Sequence, residues 1–310
     1  MYLTHFKLEK LPYSISPDPE LYCQLPSHEE SIRTVLWSIE QGELMIKITG
    51  DIGVGKTLIT RKIVQEIKAK KISHSYIENP NLSAEGIYRC ILTDLKVDNS
   101  QETSRFDLLK KIHEVIKKHA KKDKRIVLII DEAQVMSHDV LESLRLLTNL
   151  DSDNKNVLQI VLFGQLELDQ TLEKPELRQL AQRITFCHHL QAMSEQELDI
   201  YLRHRLVKSG HADGHLFTPK AIKQMYNASK GVPRIINILA HKSLLLARVG
   251  NEYKISDQHV RLAIKDSKNI MVSNMSASLT GQQKSKLSVL ALVTVTLLAV
   301  TLFVVLRSRI

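Results

Sequence analysis

Short apolar runs alternate with stretches of helical periodicity along the first 190 residues. An apolar run rich in β-branched residues is typical of a strand whose two faces are both covered by helices. Apolar residues at helical spacing fill 57–67 and 139–150 between such runs. This alternation of strand and helix predicts an α/β fold, a parallel sheet wrapped by helices. The predicted buried strands are 44–49, 126–130, 157–165 and 184–190.

The pattern changes at Ser194, where the alternation of strands and helices stops. Four amphipathic segments with recognisable caps follow, at 194–210, 217–231, 232–250 and 255–267. A capping-box pattern opens the first of them at Ser194 and Glu197, and glycines are placed to close the ends of three, at Gly210, Gly231 and Gly250. We therefore expect an α/β domain with an N-terminal linker segment over 1–190 and a small helical domain over 191–267.

A glycine-rich loop separates the first predicted strand from its helix. It reads Gly50-Asp51-Ile52-Gly53-Val54-Gly55-Lys56-Thr57 and matches G-x-x-x-x-G-K-[ST] in full. Glycines let successive backbone N–H groups point inward at phosphate oxygens, and the following helix adds its partial positive charge. The Lys56 ammonium can then reach the β- and γ-phosphates, and the Thr57 hydroxyl can hold Mg²⁺. The loop predicts a nucleotide-binding site.

Two acids, Asp131 and Glu132, follow the apolar strand 126–130 directly. In phosphate-loop enzymes an acid at this strand tip holds Mg²⁺, and an adjacent glutamate polarises the attacking water. This predicts Asp131 as a metal ligand and Glu132 as the catalytic base of an ATPase. Gln165, at the tip of strand 157–165, could contact the γ-phosphate or the water, or could simply be a polar residue that ends the strand.

Composition says less about function than the motifs do. The chain has 43 Lys and Arg against 34 Asp and Glu, a net charge of +9. This charge permits an acidic partner but does not distinguish nucleic acid from lipid. The lysines in 116–125 read first as the solvated face and end of a helix. The cysteines are three and far apart, so neither a CxxC zinc site nor a CxxC redox site is predicted, and buried, reduced thiols in a cytoplasmic domain are expected.

These motifs, in this order, resemble the AAA+ ATPases of the secretion ATPase A group, which includes the ExeA/GspA proteins of type II secretion and the MshM proteins of the mannose-sensitive haemagglutinin (MSHA) pilus. The resemblance runs from near the N-terminus to about residue 267. The group more often has Phe where Tyr13 stands. The segments that carry the resemblance are FKLEKLPYSISPDPELY (6–22), GDIGVGKT (50–57), LIIDEAQ (128–134), FGQLEL with LRQLAQRI (163–184) and GVPRIIN (231–237).

The resemblance implies roles that spacing alone does not assign. It implies that ATP lies between the α/β domain and a helical lid, at the interface between subunits of a ring or dimer. Arg234 of GVPR matches the lid arginine that senses phosphate. Arg178 and Arg183 lie where the group has its arginine finger, which acts on the neighbouring subunit's ATP. Arg183, next to the strand, is the preferred finger; either arginine could instead pair with an acid on its own surface.

The chain ends in a run of twenty uncharged residues, 287–306, behind a polar linker at 268–286. Twenty helical residues span about 30 Å, the thickness of a bilayer's hydrocarbon core. Their Leu, Val and Phe side chains favour insertion by about 4 to 8 kcal/mol. We therefore expect a transmembrane helix, a single-pass C-terminal anchor in the bacterial inner membrane. The ATPase domain is expected in the cytoplasm, where ATP is.

Together these observations predict a membrane-tethered AAA+ ATPase that couples ATP hydrolysis to assembly of a type IV (MSHA-like) pilus or a type II secretion apparatus. Its partners would be copies of itself and inner-membrane assembly proteins. ExeA-type members continue past the membrane into a peptidoglycan-binding domain, whereas only four residues follow 306 here, which favours the MshM-like branch. The alternative is a DNA-associated ATPase of the transposition or replication regulator type, which shares these motifs; the apolar run argues against a nucleic-acid partner.

Overall fold

The computed structural model describes residues 2–14, 18–100, 104–150 and 156–267. Its centre is a sheet of five parallel strands in the order β2-β3-β4-β1-β5. Val161 of β4 lies opposite both Ile46 of β1 and Ile129 of β3, so the three central strands share one register. The strands are β1 (Met45–Gly50), β2 (Ser73–Ile77), β3 (Ile126–Ile130), β4 (Leu158–Gly164) and β5 (Ile184–Leu190).

Helices cover both faces of the sheet and give it two apolar cores. One face packs against α1 (Pro26–Gln41) and α2 (Lys56–Ala69). The other packs against α3 (Ala84–Asp94), α4 (Arg105–Ala120) and α5 (His138–Asn149). Two short helices, α6 (Leu166–Leu172) and α7 (Arg178–Ala181), connect β4 to β5. The predicted α/β fold with a parallel sheet is therefore confirmed.

Two strands differ from the expectation. β2 was missed because its sequence, SHSYI, contains three polar residues and no apolar run. It is recognisable only from its parallel pairing with β3. β5 is a strand as predicted, but it is not buried on both faces. It pairs with β1 alone, and its residues alternate between partly buried and exposed along most of its length because it is an edge strand. Cys187 lies on this strand and is exposed, so the expectation of buried thiols is wrong for it.

Four helices follow β5 and pack on one another. They are α8 (Glu195–Lys208), α9 (Pro219–Ser229), α10 (Pro233–Val249) and α11 (Asp257–Asp266). The predicted capping box is present at the start of α8, where the Ser194 side chain accepts from the Glu197 N–H and the Glu197 side chain accepts from the Ser194 N–H. We call α8 to α11 the helical bundle.

The N-terminal residues 2–14 pack against the helical bundle. Tyr2, Phe6 and Tyr13 are buried there. The Tyr13 hydroxyl donates to the Leu202 carbonyl at 2.9 Å, and the Glu9 N–H donates to the Ser209 carbonyl at 2.8 Å. Aromatic side chains and backbone hydrogen bonds therefore tie this segment, which we call the N-terminal strap, to α8 and the turn after it.

The expected linker 268–286 and apolar run 287–306 lie outside the described residues. Among the helices that the structure describes, none combines the length and hydropathy needed to cross a bilayer.

Candidate active site

The glycine-rich loop 50–57 leads from the carboxyl end of β1 into α2, which begins at Lys56. Gly53 has φ +84° and Gly55 has φ +105°, values in the left-handed region that favours glycine. A Cβ on Gly53 would also lie 2.7 Å from the Cβ of Arg234, too close for two carbon atoms that are not bonded, so the position requires glycine. The loop thus opens onto a helix N-terminus, whose unpaired N–H groups attract anions.

Lys56 is buried beneath this loop at 6% exposure. Its ammonium donates to the carbonyls of Gly50 at 2.7 Å and Asp51 at 2.9 Å. Burial lowers the pKa of Lys56, and the nearby carboxylates of Glu132 and Asp131 partly offset that effect. The loop's own carbonyls therefore hold the Lys56 side chain, and the two strand-tip acids lie close enough to act on its charge.

Asp131 follows β3 and is fully buried. Its Oδ1 accepts from the Glu132 N–H at 2.9 Å, whereas Oδ2 has no hydrogen-bond partner. Burial raises the pKa of Asp131, and the Thr57 hydroxyl and the Glu132 N–H act in the opposite direction. A buried carboxylate oxygen without a partner is costly unless a ligand supplies one. The predicted pair Thr57 and Asp131 is brought together, and both offer the oxygen atoms that Mg²⁺ prefers.

The described residues contain no cluster of three or more His, Cys, Asp or Glu side chains that could hold a metal alone. This agrees with the chemistry of Mg²⁺, which is usually bound by one or two protein oxygens together with phosphates and water. The oxygens of Thr57 and Asp131 fit such an ion.

Glu132 lies next to Asp131, with φ +51°, an unusual value for a residue other than glycine. Its Oε2 accepts from the amide of Gln134 at 2.5 Å and from the amide of Gln165 at 3.3 Å. The Gln165 N–H donates to Oε1 of Gln134 at 3.0 Å. The tips of β3 and β4 are therefore joined through three side chains, two of them predicted site residues.

The helical bundle contacts the loop through the start of α10. The Arg234 N–H donates to the Gly53 carbonyl at 3.3 Å. Its side chain is exposed and lines the same cavity as Lys56, Thr57, Glu132 and Gln165. The structure therefore brings Arg234 to Gly53, which lies 181 positions earlier in the sequence.

The cavity has a volume of about 510 Å³ and extends beyond the loop toward the helical bundle and the N-terminal strap. Its far end is lined by Ser14, Tyr201, Arg205 and Asn237. Arg205 is only 7% exposed. Its Nε donates to the Pro12 carbonyl at 2.6 Å and its Nη1 to the Tyr201 hydroxyl at 2.6 Å, while Nη2 has no partner. This end of the cavity has a buried cation with an unused donor.

Comparison with known proteins places this site in a family context. Residues 39–172 match the AAA domain model, a segment that holds the loop, both strand-tip acids and Gln165. General secretion pathway protein A of Aeromonas hydrophila is 36% identical over 267 residues, which are 85% of this chain and 48% of that protein. The chain is an AAA+ ATPase related to general secretion pathway protein A. It spans about half the length of that relative.

Solved structures agree on the fold of this ATPase. The Aeropyrum pernix ORC2 protein superimposes with a TM-score of 0.60 at 20% identity, covering 83% of this chain and 71% of that one. Cdc6p of Pyrobaculum aerophilum gives 0.62 at 17% identity, covering 81% and 70%. The resemblance to the ExeA/GspA group, read first from the motifs, is confirmed.

The two candidate finger arginines of this AAA+ ATPase lie outside the cavity. Both precede β5. The first residue of β5 lies beside the start of β1, whereas the glycine-rich loop follows the end of β1. The Arg183 guanidinium donates to the Asn149 side chain at 2.5 Å, at the end of α5. Arg178 is exposed and lines a separate cavity of about 870 Å³ beside Lys47 and Asp169. Neither arginine lines the nucleotide cavity of its own chain.

Sequence reasoning missed five polar residues of the site. Gln134 stood inside a recognised motif, but no role was assigned to it. The other four line the far end of the cavity, namely Ser14, Tyr201, Arg205 and Asn237. They come from the N-terminal strap, α8 and α10, and no local pattern connects them; the only available signal was the group-specific opening segment 6–22.

Proposed function

We propose that the protein is a membrane-tethered AAA+ ATPase that couples ATP hydrolysis to assembly of a type IV (MSHA-like) pilus or a type II secretion apparatus. The relation to general secretion pathway protein A carries this proposal, because it extends over 85% of the chain, well beyond the AAA domain match at 39–172. The apolar run 287–306 supports the tether.

In this proposal the phosphates of ATP lie on the loop 50–57. The Lys56 ammonium leaves the carbonyls of Gly50 and Asp51 and pairs with the β- and γ-phosphates. Thr57 and Asp131 would hold Mg²⁺, which would neutralise negative charge on the phosphates. Glu132 accepts a proton from the attacking water, and Gln165 orients the water or the γ-phosphate. Arg234 senses the phosphate from the helical bundle.

The base and ribose lie at the far end of the same cavity. The residues there are hydrogen-bond donors and acceptors, the kind of group that fixes the orientation of a small molecule in its site. Arg205 offers its unpaired Nη2, and Asn237 is held by the Tyr201 hydroxyl and the Ser14 carbonyl, at 2.8 Å and 3.1 Å. Nucleotide binding therefore orders the helical bundle against the N-terminal strap.

Subunits complete one another's sites. The position of Arg178 and Arg183 away from the cavity of their own chain supports an arginine that acts on a neighbour's ATP, in a ring or dimer. The cavity that Arg178 lines supports Arg178 as the finger, and the contact of Arg183 with Asn149 supports Arg183. Arg183 stays our prediction.

Fractionation of cells that carry tagged full-length protein or a variant without residues 285–310 tests the tether. The full-length protein should stay with membranes through washes with salt and alkali, and the variant should be released. Surface pili or secreted protein, scored in a strain that lacks the chromosomal copy, should be restored by the full-length protein alone. Extraction of the full-length protein by alkali, or normal assembly with the variant, would contradict the proposal. The Glu132→Gln variant should stay with membranes but fail to support assembly.

A second candidate, a DNA-associated AAA+ ATPase, is favoured by one observation. Exposed lysines are concentrated at the end of the sheet that lies away from the glycine-rich loop. The helices α2, α3 and α4 all end there. Such lysines are also stabilised by the partial negative charge at helix C-termini. The members of this basic edge are Lys68, Lys71, Lys96, Lys117, Lys118, Lys121, Lys122 and Lys124.

Duplex DNA titrated into the protein at several salt concentrations separates this candidate from the first. A DNA-associated ATPase should bind with a strong salt dependence and lose affinity in the variant Lys117→Glu/Lys118→Glu. If DNA at moderate salt neither binds nor changes the ATPase rate, the second candidate is wrong.

A further inference from the structure

Gln134 connects the proposed catalytic base to the neighbouring strand. Its amide nitrogen donates to Oε2 of Glu132 at 2.5 Å, and its amide oxygen accepts from the Gln165 N–H at 3.0 Å. Both polar atoms of one side chain are thus used at once, one on each strand tip. No other residue described here bonds to both Glu132 and the first residue after β4.

Glu132 needs such a contact because its backbone alone does not determine where its carboxylate lies. With φ +51° it leaves β3 in a left-handed conformation and enters a single 3₁₀ turn, Ala133–Val135. The Glu132 side chain is partly exposed to the cavity. A carboxylate on such a turn samples several rotamers unless hydrogen bonds select one. The amides of Gln134 and Gln165 supply two donors to the same oxygen, Oε2.

Gln165 makes two separate contacts with the residues that follow β3, and only one of them uses its side chain. Its backbone N–H bonds to Gln134, whereas its side-chain amide reaches Glu132 at the longer distance of 3.3 Å. The side chain can therefore turn toward a γ-phosphate or a water while the backbone contact with Gln134 persists. Gln134 then remains as the donor that holds Glu132.

We propose that Gln134 is a positioning residue that fixes the carboxylate of Glu132 for its reaction with water and keeps it fixed when Gln165 turns toward the nucleotide. The inference rests on the proposed catalytic role of Glu132. With Oε2 held by the amide of Gln134, the second carboxylate oxygen, Oε1, faces the water and accepts its proton. Misplacement of a reacting group by about 1 Å costs roughly 100-fold in rate. Loss of the Gln134 amide should therefore lower turnover and leave ATP affinity unchanged.

Three variants of the full-length protein separate this role from a merely structural one. Gln134→Met removes both hydrogen bonds with little change in size. Gln134→Glu keeps an acceptor for the Gln165 N–H but faces Glu132 with a second carboxylate. Gln170→Met is the control, an exposed glutamine on α6 nearby. Steady-state kcat and KM are measured with the affinity for a non-hydrolysable ATP analogue and the thermal unfolding temperature.

We expect Gln134→Met to lower kcat roughly 10- to 100-fold with analogue affinity within about twofold of wild type. Gln134→Glu should be at least as slow, because like charges repel and the donor is gone. Gln170→Met should match wild type. If Gln134→Glu keeps wild-type kcat while Gln134→Met does not, Gln134 only anchors the end of β4. If both keep wild-type kcat, the inference is also wrong.

The variant Glu132→Gln distinguishes failure of this inference from failure of the proposed function. If Glu132 is the base, Glu132→Gln is inactive, and adding Gln134→Met to it lowers the residual rate no further, because Gln134 acts through Glu132. Substantial turnover by Glu132→Gln would refute the role of Glu132 itself. An inactive Glu132→Gln beside a fully active Gln134→Met would refute the positioning role alone.

Discussion

Arg205→Met should weaken nucleotide binding strongly and change the stability of the free protein little. Arg205 is a buried cation, and in the part of the chain that the structure describes it forms no ion pair with a carboxylate. Its hydrogen-bond acceptors are the Pro12 carbonyl and the Tyr201 hydroxyl, and its Nη2 has none. Methionine fills a similar volume with a flexible apolar side chain.

The two effects can be estimated separately. A hydrogen bond from a charged donor contributes about 1.5–3 kcal/mol, so losing the bond from Nη2 to the nucleotide should reduce affinity roughly 10- to 100-fold. In the free protein, two such bonds are lost, a cost of about 3–6 kcal/mol. Burying an ion costs several kcal/mol, and methionine removes that cost. The two terms for the free protein oppose each other and are of similar size.

Titration of a fluorescent ATP analogue gives the affinity, and denaturant unfolding without nucleotide gives the stability. Arg203→Met is the matched control. Arg203 lies on the same helix, is exposed and pairs with Asp199, so its loss should change affinity by less than about twofold, as expected of a surface ion pair. The reverse result, an Arg205→Met variant that is several kcal/mol less stable but binds nucleotide as wild type does, would show that Arg205 is part of the scaffold.

Three further predictions follow from other parts of the molecule. Lys56→Ala should abolish nucleotide binding or nearly so, measured as loss of nucleotide-induced thermal stabilisation; unchanged affinity would refute the loop assignment. Mixing Arg183→Ala with Glu132→Gln subunits should restore ATPase activity that neither has alone, because one mixed interface is complete. No recovery with Arg183→Ala, together with recovery by Arg178→Ala, would make Arg178 the finger. Burial raises the pKa of Cys23 to about 11. The folded protein therefore holds this proton more tightly than the unfolded chain, so stability should fall as pH rises above about 9, and less in Cys23→Ala. An equal fall in both proteins would rule out this source.

The parts of the fold that can be predicted from the sequence are the elements whose structure depends on residues close to one another in the chain. The strand, loop and helix at 44–67 each follow from local pattern, and so does the Ser194–Glu197 capping box. β2 could not be found this way, since SHSYI has weak strand character and is stabilised by its pairing with β3. The half-exposed character of β5 depends on its place at the sheet edge, which no local pattern encodes.

The same division applies to the site. The loop 50–57 and the acids Asp131 and Glu132 are local motifs, and their chemistry requires that arrangement. The far end of the cavity is built from Ser14 and three bundle residues that lie 187 to 223 positions later in the sequence, so only tertiary packing reveals it. Gln134 is a different case. It was visible in the motif, but its role depends on a hydrogen bond to Gln165, 31 residues later.

These contacts form a continuous path from the phosphate end of the cavity to the N-terminus. The loop bonds to the helical bundle where the Arg234 N–H meets the Gly53 carbonyl. The bundle bonds to the N-terminal strap where Arg205 meets Pro12 and Asn237 meets Ser14. A shift of α10 when the γ-phosphate is lost would therefore change the contacts of residues 12–14 as well. In the proposed motor, hydrolysis would act on a partner through the strap and the helical bundle, because the sheet, whose two faces are closely packed, stays rigid.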